Sequence, residues 1–185
     1  VWNPWPSGSM PYWDTGNRGA TTLGDSNTNP TSDTSTGSGQ AAKLDSKFVG
    51  LAGLGKFAAG NIFAGEYIRT DGTNGILSFG RPFEVRPSRL RFSYKYTSQP
   101  INRTSDEFTH LKGRPDSCFV YVSVGDWDAP VEIRTKPSER KLFERNDPNV
   151  IAYGEFITAE NSSSYQQVEV PLVYNTTSRK PSYLV

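Results

Sequence analysis

The chain has 185 residues, 20 Lys and Arg against 19 Asp and Glu, and a formal net charge of +1, so it is sized for one domain and lacks the concentrated positive field that nucleic-acid binding requires. Its single Cys118 and single His110 exclude an intrachain disulfide and multi-histidine metal centres. Hydrophobic residues make up only 35% of the chain but aromatics 12%, so large rings must supply much of the burial, and no apolar run is long enough for a membrane-spanning helix.

Residues 1–39 are rich in Pro, Gly, Ser and Thr and nearly free of aliphatics, too little apolar material for a core of their own. Trp2, Trp5, Tyr12 and Trp13 punctuate this tract, with Pro4 and Pro6 beside the first two tryptophans. The expectation is a loop-rich segment whose rings dock on a sandwich, while the stretch from Asp25 to Gly39 stays loop-like. Val1 is not an initiator methionine, which fits a removed targeting segment.

From Gln40 onward the hydrophobic period becomes two. A strand is predicted at 41–48, and then comes GLAGLGKFAAG at 50–60. Gly50, Gly55 and Lys56 match the G-x-x-x-x-G-K of a phosphate loop, and Gly53, Gly55 and Ala58 match a looser dinucleotide pattern. Phe57 stands where the magnesium-holding Ser or Thr belongs, and a following helix would have to carry Gly60, Asn61 and Gly65. The acidic residue such a loop wants further on falls at Asp71, inside the turn TDGTNG. The run therefore reads as a glycine-rich connection between strands, with no nucleotide role.

Further strands are predicted at 61–69, 75–80 and 89–96. In RLRFSYKY the residues Leu90, Phe92, Tyr94 and Tyr96 share one face, opposite Arg89, Arg91, Ser93 and Lys95. FVYVSV places Val120, Val122 and Val124 together, VEIRTK does the same for Val131 and Ile133, and strands follow at 150–158 and 166–174. Pro171 withdraws a ladder donor, marking the last as an edge or bulged strand. Turn signals at 71–75, 86–88, 125–130 and 146–149 separate these runs, and no helix longer than about two turns is expected. The pattern predicts an all-β, two-sheet antiparallel β-sandwich of jelly-roll topology.

Loop tryptophans are the most informative chemical feature. Trp127 in GDWDAP lies between Asp126 and Asp128, and Trp13 in PYWDTGN lies beside Tyr12 and Asp14. A flat ring with nearby acceptors matches both the C–H face and the hydroxyl rim of a sugar. Such tryptophans also cap the ends of sandwich cores, and that alternative stays open. Asp126 with Asp128, and Asp71 with Asn74, offer oxygens to calcium, but neither completes a calcium loop, and Asp and Asn equally close turns. No cofactor is expected, with a structural calcium ion the one exception left open. Hydrolysis of a glycosidic bond needs two facing carboxylates; Glu66, Glu132, Glu155 and Glu169 lie on predicted strands. His110 reads as a surface loop residue, Cys118 lacks a catalytic setting, and no G-x-S-x-G elbow occurs.

PYWDTGN, GQAAKLDSKF, GKFAAGNIFAGEY, SFGRPFEVRPSRLRFSYKY, VYVSVGDW, VIAYGEF and SRKPSYLV together resemble, in order and over nearly the whole chain, the bacterial family called the putative carbohydrate metabolism domain. The resemblance implies a jelly-roll sandwich similar to carbohydrate-binding modules, carried on lipid-anchored surface proteins of Bacteroidetes-type bacteria beside polysaccharide-utilisation proteins. It implies no catalytic residues, and it implies a continuation past SYLV through a further strand.

The sequence thus predicts one domain over 1–185 that binds glycan without catalysis, through Trp127, Asp128, Trp13, Tyr12 and Asp14. Its partner is a glycan or polysaccharide, with no nucleic acid or nucleotide, and it meets the membrane only through a removed N-terminal lipid anchor at the bacterial cell surface. The alternatives are an adhesive protein-interaction module and a glycoside hydrolase using paired strand carboxylates. The identity of the sugar and the oligomeric state stay open.

Overall fold

The period-two segments become strands. A computed structural model describes every residue except Pro6, Ser7, Met10, Ala52 and Gly53, and omits the side chains of Leu51 and Leu54. In chain order the strands are β1 (Trp13–Asp14), β2 (Thr28–Thr31), β3 (Ala41–Leu44), β4 (Lys47–Leu51), β5 (Leu54–Ala58), β6 (Phe63–Asp71), β7 (Asn74–Phe79), β8 (Arg81–Pro82), β9 (Arg89–Tyr96), β10 (Cys118–Gly125), β11 (Val131–Arg134), β12 (Val150–Thr158), β13 (Ser162–Pro171), β14 (Val173–Tyr174) and β15 (Tyr183–Leu184). Among the described residues the helical elements are short: α1 (Asn17–Ala20) and two 3-10 turns at Asp106–Leu111 and Pro137–Glu139. No described helix is long and apolar enough to cross a membrane.

The strands form a four-stranded sheet, β1-β6-β7-β11, and a five-stranded sheet, β14-β12-β10-β15-β8, with two-stranded ladders β13-β9, β2-β3 and β4-β5. Every pairing is antiparallel. The chain switches between the two larger sheets from β7 to β8, from β10 to β11 and again from β11 to β12, as a jelly-roll sandwich does. Side-chain alternation gives the five-stranded sheet two apolar faces. Val122, Val124, Ile151 and Ala152 pack against Leu90, Phe92, Val168 and Val170 of the β13-β9 ladder. On the other side Trp127, Val150 and Val185 meet Phe79, Val131 and Phe143, which also pack on Tyr67, Leu77 and Ile133 of the four-stranded sheet.

Edge and centre follow the sequence chemistry. Pro171 ends β13, which among the described residues is laddered to β9 alone, as expected of an edge strand that has lost a donor; its register shift lies at the far end, between Ser162 and Gln166. SRKPSYLV supplies β15, which lies between β10 and β8. Val185 and Ser123 exchange backbone N–H···O bonds, both of 2.9 Å.

The glycine-rich run is a hairpin, with Gly50 opposite Gly55 and Phe48 opposite Phe57. Its tip, including the Gly53 of the dinucleotide pattern, lies outside the described residues. A Cβ on Gly55 would stand 2.3 Å from the Val49 carbonyl oxygen and 2.8 Å from the Phe48 ring, so glycine is required for close strand approach. Lys56 donates to Asn74 Oδ1 at the β6-β7 turn.

One expectation for residues 1–39 needs correction. The stretch from Asp25 to Gly39 is not wholly loop, because Thr28–Thr31 pairs with Ala41–Leu44. The organising group is Asn17, whose side chain is fully buried. Its Nδ2 donates to the Thr28 and Trp2 carbonyls at 2.7 and 3.3 Å, and its Oδ1 accepts from the Thr28 and Asn27 backbone N–H groups at 3.0 and 3.2 Å. Asn27 Nδ2 donates to the Ala59 carbonyl and Thr28 Oγ1 to the Asn61 carbonyl. Hydrogen bonds from these buried amides and this hydroxyl fasten the segment.

Candidate functional site

Trp127 follows β10 and turns inward. It is only 6% exposed, stands edge-on to Phe143 with ring centroids 6.0 Å apart, and donates Nε1–H to Asp147 Oδ1 at 3.3 Å. The indole lies on Gly125, where a Cβ would sit 2.4 Å from a ring carbon. This corrects the expectation of an exposed plate: the ring closes one end of the core, and Asp128, though exposed, has no open indole face beside it. Asp126 is held by Arg179, whose NH1 lies 2.9 and 3.1 Å from its two oxygens.

At the other predicted plate, Trp13 is 41% exposed and meets Tyr12 edge-on at 5.5 Å. Asp14 does not serve as the expected hydroxyl acceptor. Its buried carboxylate accepts from the Thr15 and Tyr67 backbone N–H groups and pairs with Arg18 at 3.0 Å. Trp13 and Asp14 belong to β1 of the four-stranded sheet, whereas Trp127 follows β10 of the five-stranded sheet; the structure does not join them into one site.

Three of the four calcium donors are also committed, Asp128 being the exposed exception. Asp71 pairs with Lys136 at 3.4 Å, Asn74 accepts from Lys56, and Asp126 pairs with Arg179. Oxygens already engaged by Lys136, Lys56 and Arg179 are poor members of a cage of hard oxygen ligands. No group of three or more His, Cys, Asp and Glu converges among the described residues.

A different surface gathers rings and polar groups. Register places Val173 opposite Tyr153, Glu155 opposite Tyr121 and Ile157 opposite Phe119, so these side chains share one face of β14, β12 and β10. Phe119, Ile157 and Val173 are 53%, 59% and 68% exposed. Tyr121, Phe143 and Tyr153 stack with interplanar angles of 20°, 11° and 24°, which locks Tyr153 at the rim of an open cleft of about 430 Å³. Arg145, Asn146, Glu155, Pro171, Val173 and Asn175 line it with Tyr153.

The electrostatics of this cleft are nearly balanced. Tyr153 O–H donates to Glu155 Oε2 at 2.8 Å, and Arg145 NH1 stands 3.7 Å from Glu155 Oε1. Burial, followed by the adjacent Glu155 carboxylate, pushes the Tyr153 phenol up to about 12. Burial and then Tyr153 push Tyr121 up as well, so both phenols are protonated at neutral pH. The cleft offers an aromatic wall, a fixed carboxylate acceptor, a guanidinium donor and two amides. That set can stack on a sugar face and bond its hydroxyls. FVYVSV and VIAYGEFIT carried the signal: beside the valine face that enters the core, the supposed solvent face holds Phe and Tyr.

The carboxylates proposed for hydrolysis do not all converge: Glu155 and Glu169 lie on β12 and β13, apart from Glu66 and Glu132. Glu66 and Glu132 each face Ser78 across β7. Glu132 is held below the ordinary carboxylate range, first by its hydrogen bond from Arg134, and Glu169 likewise by Arg89. Glu155 lies in the cleft of the other sheet. His110 is exposed in the 3-10 turn, and burial raises the Cys118 thiol above its usual value.

The family model for the putative carbohydrate metabolism domain matches residues 4–184. The chain belongs to that family. Two solved structures share the fold of this putative carbohydrate metabolism domain. One, described as a putative glycoside hydrolase from Bacteroides vulgatus, superposes with a TM-score of 0.64 at 18% identity, covering 97% of this chain and 78% of the other. The second, described as a putative glycoside hydrolase from Bacteroides thetaiotaomicron, gives 0.62 at 15% identity, covering 97% of this chain and 57% of the other. A search of curated proteins finds no match.

Proposed function

We propose that this chain is a non-catalytic glycan-binding module of a bacterial surface lipoprotein, serving polysaccharide capture, and that its site is the cleft beside Tyr153 and Glu155. The supporting observation is the union of a locked ring with a carboxylate, a guanidinium and two amides in one open cleft. Membership of a carbohydrate-metabolism family supports the ligand class. Covering about 100 Å² of apolar surface is worth roughly 2.5 kcal/mol before costs, and millimolar affinity corresponds to about 4 kcal/mol, so a few hydrogen bonds beside one ring place binding near the millimolar range. Trp13 with Tyr12 is a second, separate plate.

Calorimetric titration against plant, host and microbial polysaccharides tests this reading. Binding is expected to at least one, with Tyr153→Ala and Glu155→Gln each weakening it about tenfold, a loss of about 1.4 kcal/mol, while Trp127→Phe leaves it unchanged. No binding to any of them would overturn the proposal.

A hydrolytic reading is favoured by one observation, the two carboxylates Glu66 and Glu132 on a shared face with Ser78 between them. A hydrolase needs one carboxyl kept protonated to act as acid, and Arg134 drives Glu132 the opposite way. Incubation with the bound polysaccharide is therefore expected to release no reducing ends, and their release would favour the enzyme.

A further inference from the structure

Resting on the reading of the cleft as a glycan site, we infer that its ligand is an extended neutral oligosaccharide lying along β12, held at two stacking platforms rather than by one sugar or a chain end. The first platform is Tyr153 with Val173 opposite; the second is Ile157 with Phe119 opposite. Tyr153 and Ile157 lie four positions apart on one strand, so the platforms are separated by about 14 Å. A pyranose is about as wide as one aromatic side chain, and a single ring cannot reach both.

Between the platforms stands Glu155, with Arg145 at 3.7 Å. The order along the strand is apolar, polar, apolar, which matches a glycan chain whose C–H faces alternate with hydroxyl rims. The paired opposite charges leave the face close to neutral, which suits an uncharged chain. The two ends differ in kind. The Tyr153 end carries a carboxylate, a guanidinium and the Asn146 and Asn175 amides, so it reads hydroxyls. Phe119 and Ile157, more than half exposed, offer stacking alone. Phe119 is therefore an affinity residue for long chains, and the Tyr153 end is the anchor for every chain.

Calorimetric titration of cello-, xylo- and manno-oligosaccharides, from monosaccharide to hexasaccharide, reads this out. Affinity is expected to climb about tenfold from disaccharide to pentasaccharide, as a second ring becomes covered, and then level off. Phe119→Ala should cost the pentasaccharide about fivefold and leave the disaccharide unchanged, whereas Tyr153→Ala weakens both. Ile157→Ser serves as a second probe of the same platform, with circular dichroism confirming the fold. Equal affinity at all lengths, or a Phe119→Ala loss shared by the disaccharide, overturns the two-platform arrangement while leaving glycan binding in place. Absence of binding by every sugar overturns both readings. A concentration-dependent dimer in sedimentation that Phe119→Ala abolishes assigns this face to a second copy and also defeats the inference.

Discussion

A tryptophan in a loop between aspartates has two destinies, and here its neighbours choose burial. Gly125 removes the Cβ that would block the indole, Phe143 packs against it edge-to-face, and Asp147 accepts its N–H. None of these partners except Gly125 adjoins it in the chain, which is why its exposure was not legible locally. Trp127→Ala should destabilise by about 3 kcal/mol, measured by urea unfolding. Gly125→Ala should also destabilise, since the added methyl group must displace ring and backbone. The stacked tyrosines give a pH signature. Tyr121 and Tyr153 have folded-state pKa values above the ordinary 10.0, about 12 for Tyr153. The unfolded chain therefore loses its phenolic protons first, and their contribution is complete below pH 10.0 and lost as pH rises toward about 12. The urea midpoint should fall across that window, and Tyr153→Phe should flatten the fall.

Strands announced themselves wherever one face is apolar and the other polar: RLRFSYKY is β9 from its first residue to its last. The β2 segment TNPT carries no such alternation, and it forms because Asn17 holds its backbone from ten residues away or more. Asn17→Ala would leave the Thr28 carbonyl and two backbone N–H groups unpaired in a buried setting, at a cost of about 3 kcal/mol. Loss of protection from hydrogen exchange at Asn27 and Thr28 would identify this cause. In β10 and β12 the sequence revealed the strands but hid the site. Alternation defines two faces and does not say which is functional, and the rings of Phe119, Tyr121 and Tyr153 become one surface only through the register between strands 30 or so residues apart.

At the scale of the whole molecule, distant segments are stitched by a few polar clamps. Arg179 joins the segment leading to β15 to the loop after β10 through Asp126, and to the start of β12 through the Pro148 and Val150 carbonyls. Arg179→Ala should lower stability by about 2 kcal/mol, read as a falling melting temperature. The sandwich itself was legible because it follows from the periodicity of single strands, whereas these clamps depend on tertiary proximity. The knot around Asn17 has one more consequence. Because amides and hydroxyls, rather than aliphatic groups, fasten residues 26–31, their release exposes little apolar surface and adds little heat capacity. Calorimetry would then register their detachment as a faint early shoulder, and a proteolytic nick there would leave the main endotherm nearly intact.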